Sequence, residues 1–312
     1  MAETIQSISF QENKISWIQA SVNNNKINIT RVTESPLPFI INYDNIQKPS
    51  TPLQIANHLT SLNSNQDISF ENVRFLLSAK FMIVKKILLD PSIAKEEMRE
   101  FIKAEYGQIL TESYDNYLIY FDDQIRESNG LKEILTIALK KDIFNFFKKI
   151  AEEAHFQLSQ MSINCFTVDN LFKKFFPDQI GQSLLVNFTE RGYEIIICDN
   201  KNFLNFLYRP YSKSLQSIEQ LDNEEILSIF DSVLDEIQSP KKINNPLYSI
   251  SQIFVYGNYL KRQWLEILDS QFSIPVQMLN PMNNKIWRVI AEDPSFDPKN
   301  AHRFIEPFSN LF

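Results

Sequence analysis

The sequence predicts an α/β protein of two similar lobes, with a small α+β subdomain inserted in the first lobe. Two features of the 312-residue chain predict this class. Each half opens with three strand-like runs, and each then continues into strands that alternate with amphipathic helices. We expect the first lobe at residues 1–182, with its insertion at about 79–139, and the second at 183–312, with a helical subdomain at about 215–249.

The first half opens with alternating strands and polar turns. Its strand-like runs lie at Ile5–Phe10, Ile15–Val22, Lys26–Val32 and Phe39–Tyr43. A helix is predicted from Thr51, because Pro52 suits the first helical position, and Leu53 is expected on its apolar face. The apolar run Val73–Leu77 then predicts a buried strand.

The predicted insertion begins directly after this strand. Its strands are expected at Met82–Leu89, Tyr117–Phe121 and Ile134–Leu139. A helix is predicted to start at Asp90–Pro91. Asp142 then precedes a run of apolar residues at helical spacing, and a further helix through Val168–Phe175 is stopped by Pro177.

The second half repeats this order. Its opening strands are predicted at Ser183–Phe188, Tyr193–Cys198 and Phe203–Tyr208, and later strands at Gln252–Tyr256 and Pro275–Leu279. Helices are predicted around Ile226–Ile237, through Tyr259–Phe272 and over Asn300–Phe312. The last could lie on a membrane as an amphipathic helix, but its polar side is poor in basic residues, which favours docking on the sheet of the second half.

Composition excludes several classes of function. Lys plus Arg number 31 and Asp plus Glu 38, so the net charge is −7 and nucleic acid is not an expected partner. Glycine occurs only five times, although phosphate loops depend on glycine for close backbone approach. The spacing of Cys165, Cys198 and the three histidines predicts no metal site. Without a signal peptide or an apolar run long enough to span a bilayer, we expect a cytoplasmic protein.

Several segments, in order along the chain, resemble the PilM family of type IV pilus assembly proteins. They are IVKKILLDPSIAKEEMREFIKAEYGQIL, ILTIALKKDIFNFFKKIAEEAHF, IFVYGNYLKRQWLEIL with IPVQMLNP, and FDPKNAHRFIEPFSNLF. The resemblance implies the actin-like, or ribonuclease H-like, fold with an inserted subdomain, an architecture shared with FtsA-like proteins. It also implies ATP and Mg²⁺ as ligands of the family.

The positions that correspond to the family's nucleotide motifs carry other residues here. In the first hairpin, SFQENKIS places Ser9, Gln11 and Ser16 where the resemblance implies Asp, Gly and Lys. In the second hairpin, LLVNFTERG places Asn187 and Thr189 at the Asp and Gly positions. The adenosine loop keeps only Gly257 of its consecutive glycines. We therefore expect no ATP hydrolysis and the loss of ATP and Mg²⁺ as cofactors.

Two functional hypotheses follow. In the first, the chain is a non-catalytic scaffold of a type IV pilus, secretion or gliding machine, held at the inner membrane by the cytoplasmic N-terminal tail of a PilN-like protein. In the second, it is an active nucleotide-binding ATPase or an FtsA-like filament-forming membrane tether. The degenerate loops favour the first hypothesis.

The resemblance also implies where the partner binds. The tail would lie in a groove between the first half and the inserted subdomain, with Lys85 and Lys86 alternating across the strand Met82–Leu89 so that one of them faces it. Alternatively, this subdomain packs against a neighbouring copy in a homo-oligomeric ring. Adjacent carboxylates such as Glu96–Glu97 and Glu152–Glu153 are interpreted as solvated helix faces, because neighbouring helical side chains do not converge.

Overall fold

The computed structural model describes residues 3–63, 70–94, 96–121, 126–128, 130–212, 218–238 and 248–312. The chain divides into two compact units. The first comprises Met1–Ile41, Ser69–Ser78 and Gln157–Phe312, and the second comprises Asn42–Ile68 and Ala79–Phe156.

The elements are numbered in chain order. The strands are β1 (Thr4–Phe10), β2 (Lys14–Asn23), β3 (Lys26–Pro36), β4 (Val73–Leu77), β5 (Met82–Leu89), β6 (Tyr117–Phe121), β7 (Arg126–Ser128), β8 (Leu131–Lys140), β9 (Leu158–Ile163), β10 (Gln182–Phe188), β11 (Gly192–Cys198), β12 (Phe203–Pro210), β13 (Ile250–Tyr256), β14 (Val276–Met278) and β15 (Arg288–Ala291). The α-helices are α1 (Tyr43–Ile46), α2 (Thr51–Asn63), α3 (Met98–Gly107), α4 (Lys141–Glu153), α5 (Asn164–Phe175), α6 (Asn223–Gln238), α7 (Arg262–Gln271) and α8 (Ile305–Ser309). Short 3-10 helices lie at Ala79–Phe81, Tyr114–Asn116, Ile218–Gln220 and Pro298–Phe304.

The first sheet of the first unit has the order β15-β3-β2-β1-β4-β9. β1, β2 and β3 form the predicted antiparallel meander. Asn24 and Asn25 form its second turn with φ values of 43° and 60°, a region that asparagine tolerates better than most residues. β4 pairs with β1, β9 with β4 and β15 with β3, all in parallel.

The second sheet of this unit has the order β12-β11-β10-β13-β14 and repeats the same plan. β10, β11 and β12 are antiparallel, and β13 and β14 follow in parallel. Residues from the sheet and from α6 and α7 share one apolar core that includes Phe188, Ile195, Phe230, Val255 and Trp264. The predicted duplication of a meander followed by parallel strands is therefore confirmed. Residues 213–217 and 239–247 of the predicted helical subdomain lie outside the described residues, so its bounds stay a prediction.

The second unit contains a smaller sheet and helices α1 to α4. The sheet has the order β5-β8-β6, with β7 also pairing with β8, and every pair is antiparallel. One face of this sheet packs against α3, in a core that includes Ile87, Met98, Ile102, Tyr106 and Ile134. The Tyr106 hydroxyl and the Thr136 hydroxyl lie 2.8 Å apart within this core.

Three sequence predictions about local structure are wrong. Phe39–Tyr43 is not a strand, because Asn42 caps α1 by accepting from the backbone N–H of Asn45 at 2.9 Å. The Asp90 carboxylate closes a turn onto Ser92 instead of starting a helix, and α3 begins only at Met98. Leu53 is 45% exposed on α2 and does not belong to its buried face.

The C-terminal segment also departs from its prediction. The expected single helix over Asn300–Phe312 is a 3-10 helix, Pro298–Phe304, followed by the five-residue α8. α8 packs mainly on β1, β2 and α5, so it docks chiefly on the first sheet instead of on the sheet of the second half. Phe308 anchors it beside Phe175 of α5, with ring centroids 5.7 Å apart.

Candidate functional site

The predicted nucleotide positions lie on strands and turns of the first unit. Ser9 is near the end of β1, Gln11 is in the following turn, and Ser16 faces Ser9 across the β1–β2 pair. Asn187 is near the end of β10, and Gly257 directly follows β13, which is paired with β10. The parallel β10–β13 pair therefore brings Asn187 and Gly257 together.

A carboxylate from the end of the chain occupies the centre of this group. Glu306 of α8 is only 6% exposed. Its Oε2 accepts from the Ser9 hydroxyl at 2.8 Å and from the Gln11 amide at 3.1 Å. Its Oε1 accepts from the amides of Asn164 at 2.9 Å and Asn187 at 3.1 Å. Three predicted positions therefore donate to the chain's own glutamate.

A second buried carboxylate completes the network. Glu194 lies opposite Asn187 in the β10–β11 register and is 2% exposed. Its Oε2 accepts from Asn164 at 2.8 Å and from Asn187 at 3.1 Å, while its Oε1 accepts from the Ser78 hydroxyl at 2.5 Å. Each asparagine amide thus donates one hydrogen to Glu194 and one to Glu306, which uses its full donor capacity.

The local fold explains these positions. Asn164 is the first residue of α5 and directly follows the edge strand β9, so the C-terminal end of that strand presents its side chain. Proline at 307 and the buried side chains of Ile305 and Phe308 hold the short α8, and Glu306 is fixed between them. A five-residue helix is unstable alone, so its position depends on this packing.

Gly257 is required by close packing in the same network. It has a φ of 108°, and a Cβ added there would lie 2.3 Å from Asn187 Oδ1. Its backbone N–H donates to the His302 carbonyl at 3.1 Å. The neighbouring Asn258 donates to Gln11 Oε1 at 3.0 Å, which links the loop after β13 to the β1–β2 turn.

Two predicted positions have other roles. The Thr189 hydroxyl donates to the Gly192 carbonyl at 2.9 Å and closes the β10–β11 turn. Ser16 is fully buried, and its Oγ has no hydrogen-bond partner among the described residues. Lys14 pairs with Glu34 at 3.1 Å, and burial lowers its pKa while Glu34 opposes that shift.

The centre of the network has a negative electrostatic character. Burial raises the pKa of the Tyr256 phenol, and the carboxylates of Glu306 and Glu194 raise it further. The donors that a nucleotide phosphate would require are already bound to these two carboxylates, which would also repel a phosphate. The arrangement cross-links residues of both sheets through two buried carboxylates.

Sequence reasoning missed Glu306, Glu194 and Asn164. Glu306 carried one signal, since it is a lone acid between apolar residues in the segment FIEPF. Asn164 carried another, since it stands at the end of a strand-like run and opens a helix. Among the described residues there is no group of three or more His, Cys, Asp or Glu side chains arranged to hold a metal ion.

The predicted partner residues lie in the second unit. Lys85 and Lys86 are on β5, which pairs only with β8 among the described strands. Lys85 pairs with Glu105 of α3 at 3.4 Å, and Lys86 pairs with Glu133 of β8 at 2.7 Å. Lys85 therefore lies on the sheet face that α3 covers, and Lys86 lies on the opposite face.

No protein-family model matches the chain, and no curated protein matches it. Several solved structures, in contrast, match the chain. A chain of the PilM–PilN type IV pilus biogenesis complex is 12% identical, with a TM-score of 0.74, and the match covers 98% of this chain and 97% of that one. The cytoplasmic domain of EpsL, an inner-membrane component of the type II secretion system of Vibrio cholerae, is 11% identical with a TM-score of 0.53, covering 99% and 98%.

The ethanolamine utilization protein EutJ from Carboxydothermus hydrogenoformans is also similar, at 8% identity and a TM-score of 0.50, covering 99% of this chain and 89% of that one. The predicted actin-like α/β fold is thereby confirmed, and the resemblance to PilM holds at the level of the fold. No helix within the described residues combines the length and apolar character needed to cross a membrane.

Proposed function

We propose that this chain is a catalytically silent, actin-like scaffold of a type IV pilus or a related secretion machine. The similarity of its fold to a chain of the PilM–PilN complex and to the cytoplasmic domain of EpsL supports the choice of machine. Glu306 is the main support for the proposed absence of catalysis, because its carboxylate accepts hydrogen bonds from the side chains at three predicted nucleotide positions. The scaffold works in the cytoplasm, at the inner membrane, with neither ATP nor Mg²⁺ as cofactor.

Calorimetry with Mg-ATP at millimolar concentration, together with a phosphate-release assay, tests whether the chain binds and hydrolyses ATP. We expect no hydrolysis and no binding that requires both adenosine and Mg²⁺. Inorganic triphosphate with Mg²⁺ is the matched control for binding through phosphate charge alone. Saturable binding of Mg-ATP that triphosphate does not reproduce would favour the active ATPase or filament former instead.

The proposed partner is the cytoplasmic N-terminal tail of a PilN-like inner-membrane protein. The face of the small sheet opposite α3 supports this choice, since it carries apolar side chains that remain accessible. Leu88 of β5 is 52% exposed and Tyr120 of β6 is 53% exposed. Lys86 lies on the same face, so an extended tail could bury apolar side chains there and place an acidic group beside the lysine.

A pull-down with the synthetic tail of the PilN-like protein encoded beside this chain tests the partner. The double variant Lys85→Glu/Lys86→Glu is expected to lose at least ten-fold in affinity. Lys148→Glu/Lys149→Glu on α4 makes the same charge change on two exposed residues of the same unit and should bind normally. Unchanged binding by the β5 variant, with its fold verified by circular dichroism, would contradict the site and favour packing of the subdomain in a homo-oligomeric ring.

A further inference from the structure

A cavity of about 260 Å³ lies beside the Glu306 network, within the first unit. Four of its lining side chains are basic or histidine, namely Arg262, Lys299, His302 and Arg303, and none is acidic. The whole chain has a net charge of −7, so the positively charged lining of this cavity differs in sign from the chain as a whole. Such convergence of positive charge in a concave site indicates an anionic ligand.

Two elements of the fold carry these four residues. Arg262 is the first residue of α7, and the other three lie on the 3-10 helix Pro298–Phe304. The hydrogen bond from Gly257 to the His302 carbonyl ties that helix to the end of β13. Asp297 caps it by accepting from the backbone N–H of Lys299 and from the Asn300 amide, both at 2.9 Å. The positions are thus fixed by the fold rather than by a flexible loop.

The positive charge of the cavity is only partly balanced. Arg303 pairs with Glu34, but that carboxylate also pairs with Lys14 at 3.1 Å, so one negative charge serves two cations. Among the described residues, no carboxylate lies within ion-pair distance of Arg262 or Lys299. Burial lowers the pKa of His302, and Arg303 and Arg262 lower it further, which agrees with excess positive charge.

We propose that this cavity binds the phosphate group of a small soluble molecule. Arginine and lysine are the side chains that recognise phosphate, and the amides of Asn258 and Asn300 line the same space. None of the side chains that donate to Glu306 lines the cavity. Asn258 links the cavity to the polar network, because its Nδ2 donates to Gln11 Oε1, so a ligand in the cavity would contact that network through one side chain.

Titration of the whole protein with inorganic phosphate, at constant ionic strength adjusted with sodium chloride, tests the proposal. Calorimetry is expected to show saturable binding, and the imidazole signal of His302 should shift in the NMR spectrum as phosphate is added. The chain has only three histidines, and His302→Gln assigns the signal. Constant ionic strength separates binding from general screening.

The double variant Arg262→Glu/Lys299→Glu should weaken phosphate binding at least ten-fold. Both side chains are exposed, so the variant is expected to fold, and Arg262→Gln/Lys299→Gln provides a milder second test. The control, Lys201→Glu, reverses the charge of an exposed lysine in the β11–β12 turn and should bind as the unmodified protein does. No saturation with the unmodified protein, an affinity in both double variants equal to that of the unmodified protein, or an equal loss in the control would each overturn the site.

Discussion

Glu306 is the residue that joins most of the buried polar side chains of the first unit's network. Its two oxygens accept four hydrogen bonds from a hydroxyl and three amides, all neutral donors. Glu306→Ala would leave the hydroxyl of Ser9 and the amide of Gln11 without this acceptor in a buried site. An unpaired buried donor costs about 1–3 kcal/mol, so we expect the free energy of unfolding to fall by about 3 kcal/mol. Urea titration followed by circular dichroism measures this change.

The control for that measurement is Glu266→Ala. Glu266 is an exposed glutamate on α7, and its loss should change the free energy of unfolding by less than about 0.5 kcal/mol. Glu306→Gln keeps one acceptor oxygen and should fall between the two. Equal stability of Glu306→Ala and Glu266→Ala would show that the network does not stabilise the fold.

Gly257 and Gly107 offer a matched pair of glycine substitutions. Gly257→Ala would place a methyl group 2.3 Å from Asn187 Oδ1 at a φ of 108°, where residues with a Cβ are strained. We expect it to lower the free energy of unfolding by about 2 kcal/mol or more. Gly107→Ala, at the end of α3, meets no atom within 4 Å and should be neutral or slightly stabilising. Thermal unfolding measures both variants. Equal melting temperatures for Gly257→Ala and Gly107→Ala would contradict this account.

At the scale of elements, local pattern predicted the two meanders and most helices. The predicted strands at the start of each half agree with the structure, because alternating apolar residues and polar turns are local signals. β9 and β15 were not predicted, since β9 has exposed residues and the four residues of β15 become a strand only by pairing with β3. The prediction of a single C-terminal helix was wrong for a similar reason. The packing of this segment on β1, β2 and α5 outweighs the helical spacing of its apolar residues.

The candidate site was predicted only in part. Ser9, Gln11, Asn187 and Gly257 were found because the resemblance to the PilM family points to the two hairpins and the loop that carry them. Glu306 was not found, because the hydrogen bond from Ser9 spans 297 residues of sequence and no local pattern encodes it. The pairing of Glu194 with Asn187 likewise depends on strand register, which fixes which side chains meet.

The 3-10 helix before α8 makes stability depend on pH through His302. Burial, aided by Arg303 and Arg262, lowers the pKa of this imidazole in the folded protein, against a backbone hydrogen bond to Lys299. The unfolded chain therefore binds more protons below its own pKa of about 6.5, and the free energy of unfolding falls as the pH drops through that value. Urea titrations at pH values between about 5 and 7.5 should show a smaller fall in His302→Gln. His155→Asn, which changes an exposed histidine, should retain the full dependence, and identical slopes in all three proteins would contradict the role of His302.

At the scale of the whole molecule, both large sheets belong to one compact unit, and the chain's own side chains join them. Gln11 and Ser9 come from the first sheet, Asn187 and Glu194 from the second, and Glu306 bonds to residues of both. An actin-like protein that depends on a nucleotide gains stability when the nucleotide binds, by an amount set by the ligand concentration and the dissociation constant. Here side chains at three of the predicted nucleotide positions are bonded to the chain's own Glu306.

Mg-ATP should therefore raise the melting temperature no more than Mg²⁺ with inorganic triphosphate does. At a ligand concentration a hundred times the dissociation constant, binding would add about 2.7 kcal/mol, which for a chain of this size means a shift of several degrees. Differential scanning fluorimetry with millimolar Mg-ATP, against the same concentration of Mg²⁺ with inorganic triphosphate, isolates the contribution of the adenosine. We expect the two curves to coincide.

Glu306→Ala should also show no adenosine-specific shift, because Glu194 still holds a negative charge beside Asn164 and Asn187. A rise of several degrees with Mg-ATP alone would mean that a nucleotide displaces Glu306, and the chain would then belong among the nucleotide-dependent members of its fold.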